Sequence, residues 1–71
     1  MTDTEALLLS AAHHIKIRNT SELAKRCGIP NSTMHYKMRS PGTLRLFDLN
    51  AIDNLLHLTP EEMYAIVKSS R

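Results

Sequence analysis

Glycine and proline interrupt this 71-residue chain at only three places, Gly28-Ile29-Pro30, Pro41-Gly42 and Pro60. Between them apolar residues recur every three or four positions, the spacing of helices that bury one face and are joined by short turns. No window shows the sustained apolar/polar alternation that a strand needs. A chain of 71 residues holds one core rather than two. The expected fold is therefore all-α: a single domain over residues 1–71, built as a compact bundle of about five short helices. Phe47, Tyr36 and Tyr64 are the only aromatics, so Leu, Ile, Met and Ala must supply most of the core.

Leu8, Ala11, Ala12 and Ile15 share one face of a first helix expected from about Thr4 to His14. Asn19-Thr20-Ser21-Glu22 has the form of a capping box, with Asn19 accepting from an early backbone N–H and Glu22 reaching back. A second helix starts there and turns Leu23, Ala24 and Cys27 to one side. It stops at Gly28, whose missing Cβ permits the left-handed conformation. Pro30, Asn31 and Ser32 signal a third helix, about Asn31 to Met38, with Met34 and Met38 facing inward. Ser40-Pro41-Gly42-Thr43 is expected as a loop. Beyond it Leu46, Leu49, Ile52, Leu55 and Leu56 mark an amphipathic fourth helix. Thr59-Pro60-Glu61-Glu62 starts a fifth, which Met63, Ile66 and Val67 continue.

The net charge of +2 is small, but its distribution is not even. Lys16, Arg18, Lys25, Arg26, Lys37, Arg39 and Arg45 are seven of the nine bases, and Glu22 is the only acid among them. In the remainder Asp3, Glu5, Asp48, Asp53, Glu61 and Glu62 outweigh Lys68 and Arg71. A basic middle is the electrostatic footprint of a phosphate-bearing partner. Cys27, the only cysteine, allows no internal disulfide. No apolar run nears the roughly 20 residues of a membrane span, and no basic segment precedes Leu7-Leu8-Leu9, so no signal peptide is expected. A soluble, cytoplasmic protein is the expectation. His13, His14, His35, His57 and Cys27 show neither Cys-x-x-Cys nor His-x-x-x-His spacing, which argues against a metal site. With no Gly-rich phosphate loop, paired carboxylates or Ser/His/Asp order, neither an enzyme nor a cofactor is expected. Of His13 and His14, one is expected to pack and the other to face water. Cys27, beside Leu23, reads as a small apolar filler.

The spacing Leu23-Ala24-x-x-x-Gly28-Ile29-x-x-x-x-Met34 has a mechanical logic. Ala24 is small where two helices cross, Gly28 permits the tight turn, and Ile29 and Met34 anchor the second helix of the pair. These residues resemble the helix-turn-helix of the phage Cro and repressor family, here spanning about Thr20 to Arg39. Asn19 to Ala24 looks like the family's cap and its Leu-Ala pair, Gly28-Ile29 like its turn, and Asn31-Ser32-Thr33-Met34 like the start of its recognition helix. Leu49 to Met63 is similar to its fourth helix, short connection and capped fifth helix. Two positions depart from the pattern. Pro30 stands where a serine-type cap is usual, and Lys37 where an apolar residue is usual, with Met38 next to it to take over the packing.

The resemblance implies a lambda-repressor-like transcriptional regulator of a bacterial or phage-infected cell, binding a palindromic double-stranded DNA operator as a homodimer. Carried over position by position, Asn31, Ser32, His35 and Tyr36 face the base edges, with Arg39 nearby. Their chemistry fits that role, since Asn pairs bidentately with adenine, His donates to guanine, Ser adapts, and a Tyr ring packs on a thymine methyl. Thr20, Ser21, Thr33, Lys37 and Thr43 are the expected phosphate ligands, with backbone N–H groups at the starts of the second and third helices. Leu58, Met63, Tyr64 and Ile66 of the fifth helix are the implied dimer interface. The alternative is a protein-interaction module on the same scaffold, antitoxin-like or an adaptor, which the acidic, apolar C-terminal third supports.

Overall fold

A computed structural model describes residues 1–70; Arg71, counted above with the C-terminal bases, lies outside the described residues. Five α-helices follow one another: α1 (Asp3–Ala12), α2 (Thr20–Cys27), α3 (Asn31–Arg39), α4 (Leu46–Leu56) and α5 (Pro60–Ser69). Single 3-10 turns occupy His13–Ile15 and Pro41–Thr43, the second within the expected loop. No strand occurs among the described residues.

Local chemistry sets the helix starts. Thr2 caps α1 by accepting from the Glu5 backbone N–H, and Asp3 and Glu5 sit in the first turn, where the helix dipole favours acids. Asn19 Oδ1 accepts from the Glu22 backbone N–H at 2.9 Å at the start of α2. The Glu22 carboxylate, however, meets the Asn19 side-chain amide at 3.5 Å, so the expected capping box closes on one side only. The box at α5 is reciprocal: Thr59 accepts from the Glu62 N–H at 3.1 Å, and Glu62 accepts from the Thr59 N–H at 2.9 Å. At α4 the acceptor is Asp48, which takes the Arg45 N–H at 2.9 Å.

Leu8, Ala12, Ile17, Leu23, Ala24, Met34, Met38, Ile52, Leu56 and Ile66 form one buried cluster to which every helix contributes. Ala11, Ile15, Cys27, Leu49 and Leu55 pack at its edge. Three expectations are corrected. Ile17 rather than Ile15 is fully buried: Lys16 adopts a left-handed conformation (φ 64°) that reverses the chain and brings the Ile17 N–H onto the Ala12 carbonyl. His13 and His14 are both exposed, because the 3-10 turn carries them together on the surface. Leu46 is 75% exposed, since six residues before Ile52 means about 120° around the helix.

Polar contacts fasten α1 in place. The Thr2 hydroxyl donates to the Met38 carbonyl at 2.6 Å, Thr4 and Ser69 share a hydroxyl–hydroxyl bond of 2.7 Å, and Glu5 accepts from the Thr20 hydroxyl. One turn of chain thus ties α1 to α2, α3 and α5.

Candidate nucleic-acid interface

α2 and α3 share the most extensive helix–helix contact of the molecule. Gly28 joins them at φ 74°, and the following Ile29 N–H returns to the Ala24 carbonyl at 3.0 Å. Nothing lies within 4 Å of where a Cβ would sit at Gly28, so glycine is required there by the backbone conformation alone. Ala24 is 1% exposed beside the turn, leaving the two backbones room to approach. Pro30 is extended and its carbonyl accepts the Met34 N–H at 2.9 Å; no side chain caps α3.

Met34 and Met38 are 0% and 1% exposed. Helical geometry then places Ser32, His35, Tyr36 and Arg39 away from the core, Asn31 stands at the open N-terminal end of the helix, and all five are exposed. The five residues expected to read bases therefore share one solvent-facing stripe, on a helix that contains no acid. His35 Nε2 lies 3.2 Å from Ser21 Oγ, linking the stripe to the first turn of α2. Lys16, Arg18, Lys25, Arg26 and Arg45 are also exposed. Among the described residues only Lys37 forms an ion pair.

The expected phosphate ligands divide. Ser21 is exposed and Thr33 half-buried. Thr20 is withdrawn: it is 4% exposed and its hydroxyl is given to Glu5, so it serves the α1–α2 contact instead. Lys37 is withdrawn as well. Its ammonium lies 2.6 Å from Asp48 Oδ2, with the two side chains 14% and 9% exposed. The Thr43 hydroxyl donates to the Ser40 carbonyl at 2.7 Å and so has no proton to offer a phosphate. Burial alone would raise the Asp48 carboxyl, but hydrogen bonds from Lys37 and the Arg45 N–H, with both charges, hold it below its ordinary value. Burial pushes the Cys27 thiol up, which suits an inert packed side chain.

One residue of the expected dimer surface, Ile66, is corrected. Ile66 is 1% exposed and belongs to the core, Leu58 packs against that core, and Met63 is half-buried. Only Tyr64 projects, at 66% exposure, with the Lys68 ammonium 5.9 Å from its ring centre. The sequence reading assigns Leu46 to the apolar stripe of the fourth helix and gives Phe47 no site, yet they are 75% and 79% exposed. Their signal was adjacency: two neighbouring large apolar residues lie about 100° apart on a helix and do not both reach the centre of one buried stripe.

Comparison with protein-family models, curated proteins and solved structures yields no match. Among the described residues no three His, Cys, Asp or Glu side chains gather as a metal site requires. Nor, among the described residues, is any helix long and apolar enough to cross a membrane.

Proposed function

We propose that this chain is a sequence-specific DNA-binding transcriptional regulator of the Cro and repressor type. It acts in the cytoplasm of a bacterial or phage-infected cell and reads a palindromic operator as a homodimer, with α2 and α3 as its helix-turn-helix. One observation carries this conclusion. α3 buries Met34 and Met38 while presenting Asn31, Ser32, His35, Tyr36 and Arg39 as a single exposed, acid-free stripe. A helix is the element that fits the major groove of B-DNA, and these are side chains able to discriminate base edges there.

The surroundings support the same reading. Exposed Lys25, Arg26 and Arg45, with no ion-pair partner among the described residues, supply charge for the phosphate backbone from elements flanking α3. Size is compatible with paired binding: the Cα atoms span 24 × 24 × 22 Å, so two copies fit side by side on half-sites about 34 Å apart.

Selection from a random duplex pool, followed by binding across a salt series, tests the proposal. An enriched two-fold site is expected, with a salt slope near 0.9 per phosphate contact. Asn31→Ala or Tyr36→Ala is expected to weaken binding by about 1–3 kcal/mol and to relax preference at individual base pairs. Weak binding with no enriched sequence overturns it.

A further inference from the structure

We infer that Ser21 is a positioning residue that holds the His35 ring in the form carrying its hydrogen on Nδ1, so that His35 reads guanine. The inference rests on the operator reading and names a specificity determinant within it. The two side chains come from different helices, fourteen positions apart, with Ser21 Oγ 3.2 Å from His35 Nε2. Both are exposed. Among the described residues Ser21 Oγ has no other hydrogen-bond partner. One turn beyond each, on the same side of its helix, stand the exposed cations Lys25 and Arg39. The pair thus lies within the basic, outward-facing part of α2 and α3.

Two arrangements satisfy this bond. Either the hydroxyl donates to a bare Nε2 and Nδ1 bears the hydrogen, or Nε2–H donates to the hydroxyl and Nδ1 is bare. Electrostatics favour the first. Ser21 is the second residue of α2, where the helix presents the positive end of its dipole. A lone pair on Nε2 is attracted to that end, and an N–H hydrogen is repelled. The carboxylates at this turn are engaged elsewhere, Glu5 with Thr20 and Glu22 with Asn19. The choice has a chemical consequence. With Nδ1–H free, the ring offers a donor, and guanine shows two acceptors, N7 and O6, on its major-groove edge. With Nδ1 bare, the ring would instead seek the amino group of cytosine or adenine. Ser21 gives its proton to the ring and has none for a phosphate, so it leaves the set of expected phosphate ligands as Thr43 does. The bond adds little to stability while both groups face water. Its effect is felt when DNA excludes that water, and a ring already fixed in form and direction loses less freedom on binding.

Histidine nitrogen NMR at mildly alkaline pH, with the His35 signals assigned by their loss in His35→Asn, reads the form of the ring. The Nδ1–H form is expected to be more populated in wild type than in Ser21→Ala. Binding to the selected operator and to its single base-pair variants reads the consequence. Preference at one G·C pair is expected to fall by about 3–10-fold in His35→Ala. Ser21→Ala is expected to lose most of that same preference with the other positions unchanged, and to cost nothing further there when added to His35→Ala. Ser21→Thr, which keeps the hydroxyl, is expected to behave as wild type. The inference is overturned if Ser21→Ala leaves the ring form unchanged, or if it weakens binding equally at every sequence, as loss of a phosphate ligand would. It is equally overturned if the preference that depends on His35 is for an A·T pair. With a selected operator in hand, each of these results leaves the operator reading intact. A ring form that depends on Ser21, in a protein that selects no DNA sequence, sustains the fixed ring but sinks the operator reading and the guanine preference with it.

Discussion

Lys37 is a cation placed where its ammonium answers a nearly buried carboxylate. Removing it alone strands Asp48, whose side chain is 9% exposed. Lys37→Met is therefore expected to destabilise the fold by about 1–3 kcal/mol. Adding Asp48→Asn, which keeps an acceptor for the Arg45 N–H, is expected to recover most of that loss; urea denaturation of the single and double variants checks both. The pH dependence has a definite sign. Asp48 is held below its ordinary value in the folded chain, so its contribution is present above about pH 4 and is lost as the pH falls through the depressed value. Wild type should accordingly lose more stability on acidification than Asp48→Asn. The same pair predicts that Lys37→Met leaves the salt slope of DNA binding unchanged, whereas a phosphate ligand would lower it by about 0.9. That an apolar residue is usual where Lys37 stands is what the resemblance to the Cro and repressor family implies. The partner of Lys37, eleven positions later, is not legible along the chain, because pairing across two helices leaves no spacing signature.

Helix limits, in contrast, are written in neighbouring residues. Asn19, Gly28, Thr59 and Pro60 each act through a backbone group within a few positions, so the caps and stops emerge where local chemistry puts them. Gly28 offers the sharpest test at this scale. Its φ of 74° is a left-handed conformation with open space around the Cβ position, so Gly28→Ala is expected to lose about 1–2 kcal/mol from backbone strain alone. Gly28→Asn should lose less, since asparagine tolerates that conformation. Chemical denaturation ranks the two, and equal losses would mean that crowding rather than backbone conformation requires glycine. α4 marks the limit of periodicity: Ile52 and Leu56 are inside, as their spacing predicts, but Leu46, from the same series, is outside.

For the molecule as a whole, α1 acts as a fastener. Thr2, Thr4 and Glu5 reach Met38, Ser69 and Thr20, contacts separated by 36, 65 and 15 residues. Replacing two of these hydroxyls, in Thr2→Ala/Thr4→Val, is expected to remove about 2 kcal/mol and lower Tm by roughly 10 °C. A thermal scan that moves by only a degree or two would show that apolar packing holds α1 without them.

Spacing along the chain is enough to settle the helical class, the places where helices begin and stop, and the outward stripe of α3, because each depends on relations within one element. Once Met34 and Met38 face inward, Ser32, His35, Tyr36 and Arg39 face outward by helical geometry, whereas Asn31, seven residues before Met38 and on the same side of the helix, is exposed as the first residue of α3. Which polar groups are already engaged emerges only when the helices pack: Thr20 with Glu5, Lys37 with Asp48, Thr43 with Ser40. Packing also puts Ile66 in the core and leaves Phe47 in water. The physical reason is common to both. Periodicity sets the angles between residues of one helix, but the rotation of that helix against its neighbours follows from how all five share a single core.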